Sequence, residues 1–318
     1  MTPPSLSDLQ ESVQDSSAFT RLDDYYKISF AFLSLLRQIK PTRIVSPSAT
    51  NYIFYQYGQD YQHRITHPLN SDLFIESPRE FQQASERLVS FLGDLKQRQG
   101  RAIEQPGGNR YAESGEINRV VYTVQQAIGS IADSFDNQNQ SRKRAGQLFE
   151  NLITLLIQQV GLECEPRTVV LPIPGYPDYK MPYQLDFGFS RNKAIITSET
   201  TFIQPNEVVG SVKTTSKDRI DKIFLDKYLL SKLLGRPIPV VAIFLHDVQR
   251  AVRGNSIFGI NSTFKSSHFL GYTVALNKLD GVYYVDPRPE MLVNERLRQQ
   301  IHDFQQFLVR DIWSLSSP

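Results

Sequence analysis

The chain has 318 residues, 40% of them hydrophobic, and its 35 basic residues nearly balance its 33 acidic ones, which leaves a formal net charge of +2. This composition excludes a disordered chain and a uniformly polybasic protein, and the length predicts about two domains or one large one. The single cysteine, Cys164, excludes a disulfide framework and a cysteine-rich zinc module. Because we find no signal-peptide pattern and no apolar run of the ~20 residues that span a bilayer, we expect a soluble cytoplasmic protein without a membrane partner.

Residues 1–135 are predicted to form a mainly helical region. Asp24 to Lys40 carries apolar residues at helical spacing, and Ser77-Pro78-Arg79-Glu80 combines an N-cap, a proline at the first helical position and a glutamate that closes a capping box. That second helix is expected to run to about Gln99. Turn-forming residues from Gly100 to Ser114 predict a loop, and a further helix is predicted from Glu116 to Asp136.

Residues 136–318 follow an α/β pattern. A helix that opens near Ser141 is stopped by Gly161, and a second helix from about Asp218 is ended by Gly235. Strand-like runs cover residues 168–173, 183–189, 193–200, 207–214 and the wholly apolar 238–245. This order predicts a central mixed β-sheet flanked by helices. Near the C-terminus, residues 272–288 predict a hairpin, and the amphipathic segment 294–309 either closes the core or forms a dimer face.

The usual enzyme signatures are absent from the sequence, which contains no GxxxxGK[ST], no GxGxxG after a strand, no GxSxG and no HExxH. Its five histidines form no metal-type cluster. His63 and His67 lie four residues apart, but their surroundings are more typical of loop or surface positions than of metal ligands. The chemistry must therefore be sought in other residue types.

Two carboxylates and a lysine form the remaining constellation. Asp186 interrupts a buried strand, Lys213 ends another, and Asp226 follows on the next helix, two turns beyond Arg219. If these elements converge, the carboxylates can hold Mg²⁺ while the lysine orients or activates a water, which are the parts that phosphodiester hydrolysis needs. The alternative is a structural ion pair between Asp186 and Lys213 at a sheet edge.

The segment Val212-Lys-Thr-Thr-Ser-Lys-Asp-Arg219 is more specific. It resembles the run VKTTCKDR of the PD-(D/E)XK type II restriction endonucleases of the CCGG/CCNGG group, which includes the EcoRII, SsoII, PspGI and NgoMIV enzymes, and it differs only at Ser216. The helix Ser141-Arg-Lys-Arg-Ala-Gly-Gln-Leu-Phe-Glu150 is similar to the S-R-x-G-x-x-L-E helix of that group. The resemblance covers roughly residues 140–250 and implies a restriction-endonuclease-like α/β core.

The resemblance assigns roles position by position. Lys213 falls on the catalytic lysine, and Ser211 occupies the position where the wider superfamily has its second acid. In this group that acid comes instead from the following helix, about thirteen residues after the lysine. This position is Asp226, where the group usually has Glu.

Asp186 matches the first acid of the motif, 27 residues before Lys213, although Leu185 stands where the group has proline. A literal Pro177-Asp178 exists upstream, but it lies too far from the lysine and in a predicted loop, so Asp186 is favoured. Glu150 matches a helix acid that lies close to the metal or its waters. The implied metal ligands are therefore Asp186 and Asp226, and the implied cofactor is Mg²⁺.

Lys217, Asp218 and Arg219 match the base-reading segment of the group. Basic side chains donate to guanine and an aspartate accepts from the cytosine amino group, so double-stranded DNA is the implied partner of a homodimer or of a tetramer. The Lys-Asp-Arg form is more similar to the interrupted CCNGG subgroup than to the CCGG subgroup. The alternative is an ordinary first helical turn with a local ion pair.

Several other residues have two interpretations. Arg142 and Arg144 either contact phosphates or belong to a solvated helix face, and Arg250 either points into the DNA groove or marks a solvated strand end. The aromatic tract of residues 51–63 either stacks on DNA or packs in the core, and packing is favoured. Residues 211–253 contain nine basic and four acidic residues, so the near-neutral chain conceals a basic segment.

The resemblance thus implies a Mg²⁺-dependent type II restriction endonuclease of a restriction-modification system, which leaves 5′-phosphate ends. Two alternatives stay open: a structure-specific or repair nuclease of the same superfamily, and a site-specific DNA-binding protein that does not cut. Residues 1–135 are expected to form an accessory region that reads outer base pairs, binds an effector DNA or completes a dimer interface, and residues 136–318 the nuclease domain.

Overall fold

The structure, a computed structural model, describes residues 4–56, 67–99, 110–135, 137–191, 201–217 and 219–317. The helices of the first part are α1 (Leu6–Ser12), α2 (Leu22–Ile39), α3 (Pro78–Arg98), α4 (Arg110–Glu113) and α5 (Glu116–Ala132). Strands β1 (Thr42–Val45), β2 (Tyr52–Gln56) and β3 (Leu69–Asn70) form a small antiparallel sheet. The mainly helical character of this part is confirmed. The predicted loop from Gly100 is partly wrong, because its described end forms α4.

Helix α3 shows how the sequence sets an element and how tertiary contacts modify it. The Ser77 hydroxyl accepts from the backbone N–H of Glu80 at 3.4 Å, and Pro78 takes the first helical position, as predicted. The Glu80 carboxylate, however, accepts from Arg119 of α5 at 2.9 Å. The side chain that sequence reasoning assigned to a capping box therefore ties two helices together.

The second part is built on a six-stranded mixed sheet in the order β11-β10-β7-β6-β5-β4. Its strands are β4 (Glu163–Ile173), β5 (Tyr176–Ser190), β6 (Val208–Thr215), β7 (Val240–His246), β10 (Gly281–Tyr284) and β11 (Ile301–Asp303). Strands β4, β5 and β6 pair antiparallel, whereas β6, β7, β10 and β11 run parallel. The strand predicted at residues 193–200 lies outside the described residues.

Helices cover both faces of this sheet. Helix α6 (Gln138–Gln159) packs on one face, and α7 (Ile220–Leu234) and α8 (Ser266–Ala275) pack on the other. Alternate residues of β7 enter the two hydrophobic cores, which explains why its sequence is apolar throughout. Gly161 and Gly235 adopt positive φ angles of 94° and 68° at the ends of α6 and α7, as the stop signals predicted.

The C-terminal prediction of a hairpin over residues 272–288 is wrong. Its first four residues belong to helix α8, and its second half contains β10, which pairs parallel with β7. The apolar residues of α8 pack on α7, where Phe224 lies with its ring centroid 5.6 Å from Phe269 and 5.9 Å from Tyr272. This tertiary packing overrides the strand-like composition of the segment. The amphipathic segment 294–309 supplies β11 and then Phe304 and Phe307, which close the core.

The two parts share their interior. One hydrophobic core combines buried residues of α2, α3 and α5 with those of α6 and of the central sheet, across the predicted boundary at residue 135. A second contact joins the small sheet to the antiparallel ribbon of β8 (Val248–Arg253) and β9 (Ser256–Ser262). Cys164 is fully buried in the shared core. Within the described ranges, no helix is long and apolar enough to cross a membrane.

Polar groups also hold the two parts together. Asp286, just after β10, accepts hydrogen bonds from the Tyr52 hydroxyl at 3.0 Å and from the Asn70 amide at 2.8 Å. Tyr52 and Tyr55 of the aromatic tract are both buried, so the favoured packing interpretation holds for these two residues. Tyr57 and Tyr61 lie outside the described residues.

Candidate active site

The predicted catalytic residues meet where two strands of the central sheet separate. Strands β5 and β6 pair from Phe189 opposite Val208 to Phe187 opposite Gly210, and their register goes no further. Asp186 on β5 and Ser211 on β6 are the first residues beyond this last pair. Where two strands separate, backbone and side-chain groups that would otherwise pair across the sheet become available to other partners. This fork between β5 and β6 opens toward solvent.

Three donors converge on one oxygen of the Asp186 carboxylate. Its Oδ2 atom accepts from the Ser211 hydroxyl at 2.7 Å, from the backbone N–H of Val212 at 2.7 Å and from the Lys213 ammonium at 2.6 Å. None of these three bonds involves Oδ1. This arrangement fixes the orientation of the carboxylate and leaves Oδ1 for a further ligand. Ser211 therefore has a positioning role, because its hydroxyl holds the Asp186 carboxylate. The sequence had identified position 211 only as the place where the wider superfamily has its second acid.

Lys213 links the sheet to helix α6. Its Nζ atom lies 2.6 Å from Asp186 Oδ2 and 3.0 Å from Glu150 Oε1, and the side chains of all three residues remain partly exposed. Glu150 stands on the face of α6 that overlies the fork. The two segments that resemble the restriction endonucleases, this helix and the lysine motif, therefore contribute residues that contact each other.

The electrostatics of this cluster follow from partial burial and close charges. Burial opposes the charge of Lys213, but Asp186 and Glu150 outweigh it and hold the pKa of the ammonium above its usual value. Burial, with a smaller contribution from Asp186, raises the pKa of Glu150 despite the neighbouring lysine. Lys213 is thus a persistent cation in this arrangement, suited to hold and orient an oxygen atom rather than to remove a proton.

Asp226 lies on α7, on the other side of the fork from Glu150. Burial is the main cause of its raised pKa, which Lys222 opposes and the charge of Asp186 increases. Asp226 takes no part in the hydrogen bonds of Lys213. The charge of Asp186 therefore influences Asp226, but Asp226 lies outside the hydrogen-bonded cluster of Asp186, Lys213 and Glu150.

The donors at the fork suit a hard divalent cation. Carboxylate oxygens are the ligands that Mg²⁺ prefers, and Mg²⁺ usually takes only one or two of them and keeps several waters. Within the described part of the chain, no three His, Cys, Asp or Glu side chains are grouped closely enough to form a complete protein cage. For this smaller requirement, Asp186 would supply one carboxylate and Asp226 or Glu150 the second.

An open cleft of about 330 Å³ leads to the cluster. Glu150 and Asp186 line it, and the amide side chains of Gln147 on α6 and Gln184 on β5 stand beside them. Sequence reasoning did not single out either glutamine. Gln184 lies two residues before Asp186 on the same strand, and Gln147 lies about one helical turn before Glu150. These spacings place each glutamine on the same face as an identified acid, and they are the sequence signal that could have found both.

The predicted base-reading segment leaves β6 directly after the site. Lys217 and Arg219 are exposed, and Arg219 stands at the N-cap of α7, where its backbone N–H donates to Ser216 O at 3.3 Å. Asp218 lies outside the described residues. Ser216 is buried and anchors the segment, whereas the two described basic side chains point to solvent.

The remaining predicted contacts are less closely grouped. Arg142 is exposed on the first turns of α6, whereas the guanidinium of Arg144 lies 5.3 Å from the centroid of the Phe135 ring. Arg250 is exposed on β8. His246 accepts from the N–H of Val248 through Nδ1 at 3.1 Å, and burial lowers its pKa to about 3, so it is a neutral structural residue.

His67, one of the two paired histidines, does not join the site. The ring of His67 lies 3.1 Å from the carboxylate of Asp133 on α5, and His63 falls outside the described residues. The interpretation of His67 as a surface or loop residue therefore fits its observed position.

Comparisons with known proteins agree with this geometry at the level of the fold. No protein-family model and no curated protein sequence matches the chain. The crystal structure of the type IIP restriction endonuclease Kpn2I is similar, with a TM-score of 0.70 and 17% identity over 97% of each chain. A complex of the restriction endonuclease PspGI with substrate DNA matches 74% of this chain and 92% of that one at 14% identity, with a TM-score of 0.42. The chain thus has the predicted restriction-endonuclease-like fold, from near one end to the other.

Proposed function

We propose that the protein is a Mg²⁺-dependent, sequence-specific endonuclease that hydrolyses double-stranded DNA. The observation that carries this proposal is the bonding of Lys213 to both Asp186 and Glu150 at the fork between β5 and β6. Their carboxylates line an open cleft, so an incoming ligand can reach them, whereas it could not reach the carboxylate of a fully buried ion pair. The fold shared with Kpn2I supports the same class of enzyme.

The residues of the cluster have complementary tasks in such a reaction. Bound Mg²⁺ supplies positive charge for the scissile phosphate and the leaving oxygen. Asp186 and Asp226 hold the metal, and Ser211 and the backbone of Val212 keep the Asp186 carboxylate oriented. Lys213, cationic because its two acidic neighbours outweigh burial, holds the attacking water in line and stabilises developing negative charge. Glu150 accepts a hydrogen bond from Lys213 and positions it.

The substrate is inferred from the segment that follows β6. Lys217 and Arg219 donate to guanines and Asp218 accepts from a cytosine amino group, so each subunit reads two adjacent C·G pairs. A homodimer, or a tetramer of two dimers, then reads a symmetric site with a CCNGG-like or CCGG-like core. The products carry 5′-phosphate ends.

The direct test is to digest a mixed-sequence plasmid library with the purified full chain and Mg²⁺, and to sequence the ends. We expect fragments that share one short symmetric motif and carry 5′-phosphates. Cleavage without a shared motif would support a structure-specific or repair nuclease instead. Site-selective binding without cleavage in any divalent cation would show that the protein recognises DNA but is not an enzyme.

A further inference from the structure

The antiparallel ribbon of β8 and β9 stands beside the proposed base-reading segment. Strands β6 and β7 run parallel, and Thr215 lies opposite His246 at their carboxyl ends. The reading segment begins at Lys217 and β8 begins at Val248, each two residues beyond this pair. The two segments therefore leave neighbouring strands at the same edge of the sheet, with roots about 5 Å apart.

One face of the ribbon is fixed to the rest of the protein. Val248 and Ile260 are buried in a hydrophobic cluster with Tyr52 and Phe54 of β2. The backbone N–H of Ile260 also donates to the Ser48 hydroxyl at 2.9 Å. The small sheet of the first part of the chain thus acts as a rigid support for the ribbon.

The opposite face carries a row of polar side chains. Gln249 lies directly opposite Asn261 in the ladder, so the two share this face. Arg253 lies over Gly259, where a Cβ atom would collide with its side chain, and its guanidinium donates to the side-chain oxygen Oδ1 of Asn261. Glycine at position 259 therefore makes room for the arginine to lie flat and reach the amide.

The chemistry of this face matches nucleic-acid recognition. Asparagine and glutamine pair with adenine and arginine pairs with guanine through the edges exposed in the major groove, which admits a two-stranded ribbon. Residues 248–262 contain no acidic residue, and the polar face carries Arg253, so this face complements a phosphate backbone in charge. A six-residue strand is about 20 Å long, close to the rise of about six base pairs.

Building on the proposed function, we infer that the β8–β9 ribbon enters the major groove and reads base pairs outside the core site through Gln249, Asn261 and Arg253. Two adjacent C·G pairs occupy the reading segment of each subunit, and the ribbon extends beyond them. This assigns a function to the first part of the chain, because its small sheet holds the ribbon in place. Specificity would then depend on two segments, one after β6 and one after β7.

The test uses the full chain and a library of duplexes in which the base pairs around the core are randomised. Both the cleaved fraction with Mg²⁺ and the bound fraction with Ca²⁺ are sequenced. The unaltered protein should prefer particular bases outside the core. Gln249→Ala and Asn261→Ala should each reduce that outer preference by about tenfold or more, while the core preference and the cleavage rate on the best site change little.

Control variants are available at the other edge of the sheet. Arg298→Ala and Gln299→Ala remove exposed side chains that precede β11, at the amino ends of the parallel strands, and should leave the outer preference intact. Thermal unfolding of each variant checks that the ribbon remains folded.

The outcomes distinguish this inference from the proposed function. Cleavage at a fixed core with no outer preference, or with a preference that the ribbon variants retain, would overturn the ribbon inference alone. A change in oligomeric mass without a change in preference would assign the ribbon to a subunit interface and overturn it too. If the protein neither cut nor bound any duplex, both proposals would fail.

Discussion

Two clusters of charge lie close together on the central sheet but differ in how their charges are compensated. Arg167 and Glu207 form an ion pair whose side chains are essentially inaccessible to solvent. Arg167 also donates to Phe202 O at 3.1 Å, and Glu207 accepts from the N–H of Gln204 at 3.0 Å. Protein groups therefore complete the bonding of this pair, and it fastens the segment before β6 to β4.

The second cluster begins on the neighbouring strand, directly beside the first. Arg167 pairs in register with Leu185, and the following residue, Asp186, belongs to the cluster with Lys213 and Glu150. These side chains are between 18% and 31% exposed, and those of Asp186 and Glu150 line a cleft. The comparison teaches that an ion pair alone does not identify a functional site. The second cluster differs in that two carboxylates and a lysine meet beside an open cleft.

The largest effect is expected from breaking the enclosed pair. Arg167→Leu should lower the free energy of unfolding by about 3–5 kcal/mol, because it leaves the Glu207 carboxylate buried and unpaired. Urea unfolding measures this. Arg167→Leu/Glu207→Leu should recover part of the loss. The exposed Arg43–Glu76 pair provides the control, since Arg43→Leu should cost less than about 1 kcal/mol. A similar cost for both single variants would mean that burial does not increase the cost of breaking an ion pair in this protein.

Lys213→Ala should instead affect activity. We expect the cleavage rate to fall about 10²–10³-fold, because the group that stabilises developing charge is lost. Unfolding should change little, since the cluster already faces solvent. Single-turnover cleavage of a duplex that contains the identified site measures the rate. Lys27→Ala, an exposed lysine on α2, is the matched control. Full activity in Lys213→Ala would remove the basis for the proposed active site.

Asp286 tests a third form of compensation, in which a buried carboxylate is bonded by Tyr52 and Asn70 and forms no ion pair with the part of the chain that the structure describes. Burial raises its pKa to about 6, above the value of 3.8 for an unperturbed group. Between these two values the folded state retains a proton that the unfolded state loses, so stability falls as the pH rises from about 4 to 6. The full penalty, about 2–3 kcal/mol, applies above that range.

The measurement is the difference in unfolding free energy between Asp286→Asn and the unaltered protein at a series of pH values. This difference should shift in favour of the variant by about 2–3 kcal/mol between pH 4 and pH 7. Subtraction removes the contribution of other titrating groups. A difference that stays constant with pH would mean that the carboxylate is compensated as fully as Glu207.

The smallest effect is expected at Asp226, which lies near the open cluster without bonding to it. Asp226→Asn should raise the Mg²⁺ concentration needed for half-maximal cleavage by about 10–100-fold, the range typical of residues that support a metal site. Asp226→Glu should stay within about tenfold of the unaltered protein, because it retains a carboxylate. Titration of the cleavage rate with Mg²⁺ checks both. An unchanged requirement in Asp226→Asn would exclude it as a ligand.

The sequence predicted those parts of the fold that local patterns determine. The helices α2, α3, α5, α6 and α7, the strands β4 to β7 and the stops at Gly161 and Gly235 follow from periodicity and caps. The hairpin predicted over residues 272–288 failed because packing of α8 against Phe224 decides the conformation there. The use of Glu80 to bind Arg119 was likewise invisible, since it depends on a contact between residues 39 positions apart in the chain.

The candidate site was predictable where the motif spans adjacent positions of one strand. The meeting of Lys213 with Glu150, 63 residues away, could be inferred only from resemblance. The hydrogen bonds from Ser211 and Val212 to Asp186 depend on the point at which β5 and β6 separate, and no local pattern encodes that point. The polar face of the ribbon depends in the same way on the register of β8 with β9.

The burial of Cys164 has a practical consequence. Its thiol lies in the shared core, and burial raises its pKa, so it stays in the unreactive neutral form. The chain has no other cysteine. A cysteine introduced at Asn255, in the exposed turn between β8 and β9, would therefore be the sole point of attachment for a fluorophore or a crosslinker. Such a variant could be labelled at a single site without prior removal of the native thiol.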